Sequence, residues 1–520
     1  MATDTIVINN KKQFLPLLGI VKPSFIGMLM SGLTVLYSMQ LTAGDWELSP
    51  HVSVTGTYTD NADLSISDKK SEFYTQVTPG IAIVREGAGR VQLEADYSLD
   101  YTENRPGDRG RTIAHSLDSN MRAELYKDVF FIDASAGANL NSLTSGGQRG
   151  ESSVGDVRDP IQTYTYSLSP YLQHHFGRYA NALARYTHDQ VINSGSGGSD
   201  SYSNQVSLVI GSGAYFSRIP WGLNYLQSKT NNEDGASDSE TASVNGNVSY
   251  ILNRKWRINL AGGYVDYDIQ SRRSSTDSFT WDAGATWTPN LRTNLDFSYG
   301  EQVFGQSFAF DFNHRWRRAV WRAGYNQTLT NSRIQQMAQR NTVYGTSEDY
   351  GDSYLVQGRY EHNRTGVIRD PDSGEIVYSR YEGIADFPTL TDEHYVMGTF
   401  NTGFTIETRR SNFSVDAHFT TREYEVQRIT GREIGVDVNW DRRLTSTTNG
   451  LIGVSWLKNR VDEGATEDTR WRITLGLSRR LTPHTNANLD YSYRSLGSSE
   501  GSVGEYRENQ VSLTLASQWD

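Results

Sequence analysis

The sequence predicts an all-β fold, a transmembrane antiparallel up-and-down β-barrel of about 22 strands (20–22). Apolar and polar residues alternate with a period of two from Trp46 to the C-terminus, as they do in strands with one apolar face. Only 37% of the residues are hydrophobic, although 11% are aromatic, which is too polar for a large aqueous core and too aromatic for disorder. Short and long connections alternate along the chain, as they do in outer-membrane barrels.

Composition excludes several other classes of protein. The chain has 520 residues, a formal net charge of −11 and no cysteine. An acidic chain is a poor partner for nucleic acid, and the lack of cysteine rules out a disulfide framework. Only one apolar run approaches the length of a transmembrane helix, so a helical membrane protein is disfavoured.

The N-terminal segment predicts export. Residues 24–43 are uncharged and follow Lys11, Lys12 and Lys22, which is the pattern of a signal peptide over residues 1–43. A retained anchor helix is the alternative, and the Ser and Thr residues within the segment weaken it. Residues 44–520 are then a single barrel domain, and the predicted location is the outer membrane of a Gram-negative bacterium.

The strand pattern begins at Trp46. In WELSPHVSVTGTY, Trp46, Leu48 and Val52 share one parity, and Glu47 and His51 share the other. The predicted segments are 46–59, 72–86, 89–103, 112–127, 129–142, 161–176, 178–192, 203–216, 219–230, 240–252, 255–268, 279–288, 292–303, 305–316, 319–331, 392–408, 411–424, 433–443, 447–458, 468–481, 485–495 and 507–519. Their even number is what bacterial single-chain barrels require.

The connections predict the orientation of the barrel. Every second one is a tight turn, and the others are mostly long and rich in Gly, Ser, Asp and Asn, as in 191–203 and 231–240. Short turns are periplasmic and long loops extracellular in such barrels. The predicted tight turns are Lys127-Asp128, Phe176-Gly177, Ser217-Arg218, Pro289-Asn290, Arg409-Arg410 and Pro483-His484.

No enzyme motif is found in the sequence. H-E-x-x-H, phosphate-loop and C-x-x-C patterns are absent and no G-x-S-x-G elbow between a strand and a helix is predicted, so we expect neither an enzyme nor a metal or cofactor site. Asp370, Asp372 and Glu375 superficially resemble a calcium loop. Apolar residues on both sides favour a hairpin turn there instead, because the glycine spacing of a calcium loop is missing.

The polar parity of the strands predicts a mixed-charge lumen. Hydrogen-bonding and charged side chains without apolar adhesion suit the passage of polar solutes or sugars. The alternative is that these charges only brace the wall. The candidate pore-lining residues are Glu94, Asp96, Arg122, Glu124, Asp282, Asp296, Asp311, Arg322, Asp437, Arg470, Arg472 and Asp490.

One connection is far longer than any turn. Residues 331–390 contain nine Asp or Glu and six Arg, and an internal hairpin is predicted around Asp370–Gly374. Long connections in compact folds are usually functional, so this loop is a candidate gate whose tyrosines could stack on sugars. An external loop without a gating role is equally compatible with the sequence. The candidate gating residues are Tyr344, Tyr350, Tyr354, Tyr360 and Tyr378.

Three stretches carry a family resemblance: WELSPHVSVTGTYTDNADLS, SEFYTQVTPGIAI and TYSLSPYLQHHFGRYANALARYTHD. They resemble the PEP-CTERM system-associated outer-membrane β-barrel family, over essentially the whole mature chain. The association of that family with exosortase systems implies a role in surface or secreted exopolysaccharide. It supplies no catalytic motif.

The sequence therefore predicts a porin-like passage associated with exopolysaccharide export or assembly. The expected partners are outer-membrane lipid, polysaccharide and periplasmic export components, with no nucleic acid. The alternative is a structural or adhesive barrel whose extracellular loops bind surface polysaccharide without transport. A siderophore-type transporter is disfavoured, because such 22-stranded barrels hold a plug, whereas here strands follow the predicted signal peptide directly.

Overall fold

A computed structural model describes most of the predicted barrel. The described residues are 46–85, 89–104, 111–142, 160–194, 200–233, 238–269, 271, 276–331, 333, 367–369, 376–379, 393–427, 429–461, 467–498 and 505–519. The predicted signal peptide lies outside them. No helix within the described ranges is long and apolar enough to cross a bilayer.

The described chain is built almost entirely from long strands, as the two-residue alternation predicts. The strands are β1 (Trp46–Thr59), β2 (Glu72–Arg85), β3 (Val91–Asn104), β4 (Arg111–Tyr126), β5 (Phe130–Ser142), β6 (Pro160–Phe176), β7 (Ala180–Ser194), β8 (Ser201–Ser212), β9 (Trp221–Asn232), β10 (Ser239–Asn253), β11 (Trp256–Asp268), β12 (Asp277–Asn290), β13 (Thr293–Gln302), β14 (Gly305–Arg315), β15 (Ala319–Thr330), β16 (Val367–Arg369), β17 (Ile376–Ser379), β18 (Tyr395–Glu407), β19 (Ser411–Tyr424), β20 (Thr430–Arg443), β21 (Thr448–Val461), β22 (Glu467–Arg480), β23 (Thr485–Ser498) and β24 (Tyr506–Gln518).

Twenty-two of these strands form one closed antiparallel sheet. Each strand pairs with the next, β15 pairs with β18, and β24 returns to β1. The closing ladder runs from His51 opposite Gln518 to Thr59 opposite Gln510. Closure leaves no strand edge whose backbone groups would face hydrocarbon unpaired. The predicted up-and-down barrel and its 22 strands are therefore confirmed.

The two remaining strands belong to the long connection. β16 and β17 pair antiparallel as a separate two-stranded sheet, with Val367 opposite Ser379. The hairpin predicted around Asp370–Gly374 is therefore present, although its turn lies outside the described residues. Most of the 331–390 connection lies outside them as well.

One predicted strand end is wrong. The segment predicted over 203–216 ends at Ser212, and a 3₁₀ turn occupies Ala214–Phe216. Gly213 packs so closely on the preceding hairpin turn that an added Cβ would lie 2.4 Å from the Arg178 carbonyl oxygen. This contact bends the chain away from the sheet. The connection is consequently longer than the predicted Ser217-Arg218 turn.

Candidate functional site: the lumen face

The direction of the side chains follows from one contact across the barrel. Arg333, after β15, donates from Nε to Ser201 Oγ at 2.8 Å and forms an ion pair with Asp189. Asp189 lies near the end of β7 and Ser201 begins β8, seven or more strands away from β15 along the wall. A direct contact between separate parts of a closed wall passes through its interior. Asp189 and Ser201 therefore face the lumen.

The strand register extends this assignment to every strand. Residues directly opposite in an antiparallel ladder share a face, and successive residues alternate between faces. Asp189 lies opposite Ser203 of β8. The same step taken through all 22 ladders returns to β7 with Asp189 again on the inner face. One consistent inner face thus surrounds the bore.

All of the candidate pore-lining residues lie on this inner face, and their role in passage stays a prediction. They occupy nine of the strands, namely β3, β4, β12 to β15, β20, β22 and β23. They are Glu94, Asp96, Arg122, Glu124, Asp282, Asp296, Asp311, Arg322, Asp437, Arg470, Arg472 and Asp490.

The outer face is apolar and carries the tryptophans. Exposed Leu489 (48%) and Trp471 (43%) are typical of it. Every tryptophan that lies within a described strand points outward, and most lie close to the tight-turn end. Aromatic girdles of this kind mark the membrane interfaces of barrels. The outward tryptophans are Trp46, Trp221, Trp256, Trp281, Trp287, Trp321, Trp440, Trp456 and Trp471.

Near the periplasmic end, the lumen holds an exposed ion cluster. Asp133 accepts from Arg122 Nε at 3.0 Å and from Arg185 Nη1 at 2.9 Å. The Arg185 guanidinium lies 4.1 Å from the ring centre of Tyr171, which stacks on Phe131. The Arg122 side chain remains 48% exposed. Water therefore reaches this part of the wall.

Two of the carboxylate pairs that face each other across neighbouring strands interact with the same arginine. Asp296 lies opposite Asp311, and Asp416 lies opposite Asp437. Like charges in this arrangement destabilise a sheet unless a cation or donor compensates them. Arg322 interacts electrostatically with both Asp311 and Asp416. This arginine therefore compensates one member of each pair.

In the extracellular half, lumen charges are buried instead. Glu433 accepts from His418 Nε2 at 3.0 Å and from Arg422 Nη1 at 3.4 Å. The three side chains are only 4–7% exposed. Charges removed from water in this way are tolerated when each has a partner of opposite sign. The triad links β19 to β20 across the inner wall.

A second buried network lies around the closing ladder. Glu508 accepts from Thr59 Oγ1 at 2.6 Å and lies 3.7 Å from Arg494. Gln510 donates to the Tyr74 hydroxyl at 2.7 Å. Glu508 is 2% and Arg494 6% exposed. The network joins β23, β24, β1 and β2, so it fastens the seam where the two ends of the sheet meet.

The other candidate residues have diverse surroundings. Arg470 is 4% exposed and interacts electrostatically with Tyr506. Asp96 lies 3.9 Å from His51 and is half-exposed. Glu124 accepts from the backbone N–H of Asp128, which has φ +58° at the β4–β5 turn. Glu124 therefore stabilises a periplasmic turn, a role that the sequence did not indicate.

Two contacts bridge separate segments at the extracellular mouth. Besides the Arg333 contact, Ser271 Oγ donates to Glu425 Oε2 at 2.8 Å. Ser271 lies between β11 and β12, whereas Glu425 follows β19. A small pocket beneath this bridge is lined by Tyr267, Phe304 and Leu329 among others. Segments that follow distant strands of the wall therefore contact each other at the opening of the bore.

Sequence reasoning missed the members of these networks. His418, Arg422 and Glu433 lie on the correct parity, and so do Asp133 and Glu508. Parity alone gives the face but not which side chains meet, because pairing depends on the register between strands.

The candidate gating tyrosines Tyr344, Tyr350, Tyr354 and Tyr360 lie outside the described residues. Tyr378 lies within β17, but its side chain is outside them. Their gating role stays a prediction. Within the described ranges, no three His, Asp or Glu side chains are placed to hold a metal ion.

Solved structures show where this fold occurs. The chain resembles the ferric enterobactin receptor of Pseudomonas aeruginosa at a TM-score of 0.52 and 9% identity, over 92% of this chain and 81% of that one. It resembles the FrpB iron transporter of Neisseria meningitidis at 0.50 and 8%, over 92% and 83%. No family model and no curated protein matches the chain.

Identities this low establish the fold alone. The closed 22-stranded sheet, the polar lumen and the apolar outer face with its tryptophan girdle agree with that fold. The chain therefore has the fold of the Gram-negative outer-membrane β-barrel receptors, and it resides in that membrane.

Proposed function

We propose that the barrel is a porin-like passage for polar solutes, narrowed at its extracellular mouth. The observation that carries the proposal is the continuous polar inner face, which the register extends through all 22 strands. Polar and charged linings replace the hydration of a passing solute without holding it by apolar contact.

The narrowing favours a controlled passage rather than a permanently open pore. A 22-stranded barrel is wide, and known barrels of this size hold a plugged lumen. Here the Arg333 and Ser271 contacts draw distant segments across the mouth. The 331–390 connection begins at this point, and we propose that it gates the bore.

The solute class that we propose is polysaccharide in the context of exopolysaccharide export or assembly. The support is the resemblance of the N-terminal stretches to the PEP-CTERM-associated barrels. Sugars are recognised through many hydrogen bonds, and the lumen offers Ser, Thr, Asn and Gln side chains beside its charges, including Gln76, Thr78 and Ser455.

Conductance measurements test the passage. The purified barrel in a planar bilayer should give single-channel steps, and oligosaccharides should block them in proportion to concentration. A ferric siderophore serves as a comparison, because the solved structures with this fold include an iron-chelate receptor. Block by the ferric chelate alone would reject polysaccharide, and absence of any conductance would favour an adhesive barrel.

A loop deletion tests the gate. Replacing residues 334–388 by a short Gly-Ser bridge should raise single-channel conductance and sensitise cells to large antibiotics. Replacing residues 145–157 by the same bridge is the matched control, since this segment also joins two strands at the extracellular side. A larger effect in the control would move the gate to that connection.

A further inference from the structure

The two rims of the barrel carry opposite charge. Among the described residues, the tight periplasmic connections contain eleven Lys or Arg and one acidic residue, Asp128. The described residues of the extracellular connections contain nine Asp or Glu and four Lys or Arg. The basic excess at the periplasmic rim is the opposite of what a chain with a formal net charge of −11 gives on average. The cations are thus concentrated at one membrane surface.

The periplasmic cations lie side by side. The backbone N–H of Thr288 donates to the Lys255 carbonyl at 2.8 Å, and that of Arg315 to the Arg292 carbonyl at 2.7 Å. Beyond them along the rim, Glu407 N–H donates to the Arg318 carbonyl and Arg443 N–H to the Arg410 carbonyl, each at 2.8 Å. Each cationic turn is therefore hydrogen-bonded to the next hairpin, and β10 to β20 present a continuous basic arc.

The cations of this arc lack anionic partners within the described chain. We define the basic arc as Arg254, Lys255, Arg292, Arg317, Arg318, Arg409 and Arg410, all of which are exposed. None of these seven side chains forms an ion pair or hydrogen bond with another described residue. In the lumen, by contrast, Arg122 is paired with Asp133. The seven cations of the arc therefore remain available to an external anion.

The height of the basic arc is that of the lipid headgroups. Lys255 immediately precedes the outward Trp256, and Arg317 immediately follows Trp316, whose ring centre lies 6.1 Å from that of the outward Phe404. Nearby, the Arg442 guanidinium lies 5.9 Å from the ring centre of Trp440. Interfacial tryptophans sit at headgroup level, and arginines beside them reach the phosphates.

We propose that the basic arc binds anionic phospholipid, phosphatidylglycerol, in the periplasmic leaflet of the outer membrane. Guanidinium groups pair with phosphate in two-point hydrogen bonds, and neighbouring turns offer several such groups to one headgroup. The outward aromatic neighbours direct the arc towards lipid rather than towards the bore. This favours phospholipid over an acidic polymer arriving from the periplasm. The proposal is independent of the transported solute.

Tryptophan quenching measures this binding in the intact barrel. The full chain is reconstituted into bilayers of phosphatidylcholine with increasing brominated phosphatidylglycerol, and separately with brominated phosphatidylcholine. Bromine quenches adjacent tryptophans, and Trp256 and Trp316 lie beside the arc. The ratio of the two quenching curves gives the preference for phosphatidylglycerol. We expect a clear preference that weakens at high salt.

The decisive variant removes four cations of two neighbouring turns, as R317Q/R318Q/R409Q/R410Q. Each cation at an anionic surface changes binding by a factor of about five. The preference for phosphatidylglycerol should therefore fall at least about fivefold, even if some of the four contribute little. The charge-preserving R317K/R318K/R409K/R410K should retain most of it.

A matched control removes four cations from the extracellular side, as K70Q/R432Q/R460Q/R507Q. It changes the net charge equally and should leave the preference intact. Heat-modifiable mobility on gels shows that each variant is folded. An unchanged preference in the arc variant, or an equal loss in the control, would overturn the proposal. The proposal would also be overturned if the arc variant lost binding to soluble polyuronate but kept its lipid preference. That result would assign the arc to an acidic polymer.

Discussion

The two halves of the lumen are built from the same residue types but differ in their access to water. In the periplasmic half, Asp133 and its two arginines remain 24–48% exposed at the side chain. In the extracellular half, Glu433 and its two partners are 4–7% exposed. Exposed ion pairs contribute little to stability, whereas breaking a buried one is costly. The extracellular half is therefore where the inner wall is most sensitive to substitution.

This difference has a functional consequence. A wall whose charges are solvated can be altered without disturbing the barrel, so it is free to contact a solute. A wall whose charges are paired and buried away from water depends on those pairs for its side-chain arrangement. The periplasmic cluster is therefore the solvated one, and the extracellular cluster holds its charges paired and buried.

The largest effect should come from removing the closing strand. Deletion of residues 507–520 removes the partner of β1 together with Glu508, the centre of the buried seam network. Backbone groups would then face hydrocarbon unpaired, which is prohibitive in a bilayer. Heat-modifiable folded protein should vanish from gels. Normal assembly of the truncated chain would mean that another pair closes the sheet.

The next largest effect should distinguish the two halves directly. Glu433→Ala leaves Arg422 and His418 buried without their anion and should lower the free energy of unfolding by about 3–5 kcal/mol. Asp133→Ala, in the solvated half, should cost about 1 kcal/mol or less. Urea titrations of both variants in the same lipid provide the measurement. Equal losses would remove the distinction between buried and exposed halves.

A substitution on the lipid-facing side should lower the free energy of unfolding by a slightly smaller amount. Phe310→Arg places a charge at the middle of β14 on the outer face and should cost about 2–4 kcal/mol. Asp311→Arg, one residue further and facing the lumen, is the control and should cost clearly less. The same titration measures both. The assignment of the two faces fails if Asp311→Arg is the more damaging change.

The smallest effect should be seen at the mouth. Arg333→Ala removes the contact with Asp189 and Ser201 and should raise single-channel conductance by less than deletion of 334–388 does. Adding Ser271→Ala, which removes the second bridge, should raise it further. Because the side chains of the Arg333–Asp189 pair are only 10–13% exposed, Arg333→Ala should also lower stability, and heat-modifiable mobility on gels shows that each variant is folded. A conductance equal to that of the intact barrel in the double variant would show that these contacts do not narrow the bore.

Much of the architecture could be predicted because a barrel wall repeats one local rule. Alternation along NLDFSY places Leu295, Phe297 and Tyr299 on one face and Asp296 on the other, without reference to any distant residue. Tight turns and loops are likewise predicted from the local sequence alone. The predicted end of the 203–216 segment is wrong because Gly213 packs on the neighbouring hairpin. The local alternation pattern gives no sign of that contact.

The sequence by itself determined the strand number, the face of each residue and the end of the barrel at which the turns lie. Only the tertiary structure decided which inner residues meet. Arg494 reaches Glu508 and Arg333 reaches Asp189 because of the stagger between strands and the closure of the sheet. These depend on every ladder around the wall, so residues that parity treats as equivalent become buried partners or exposed charges according to their position on the closed surface.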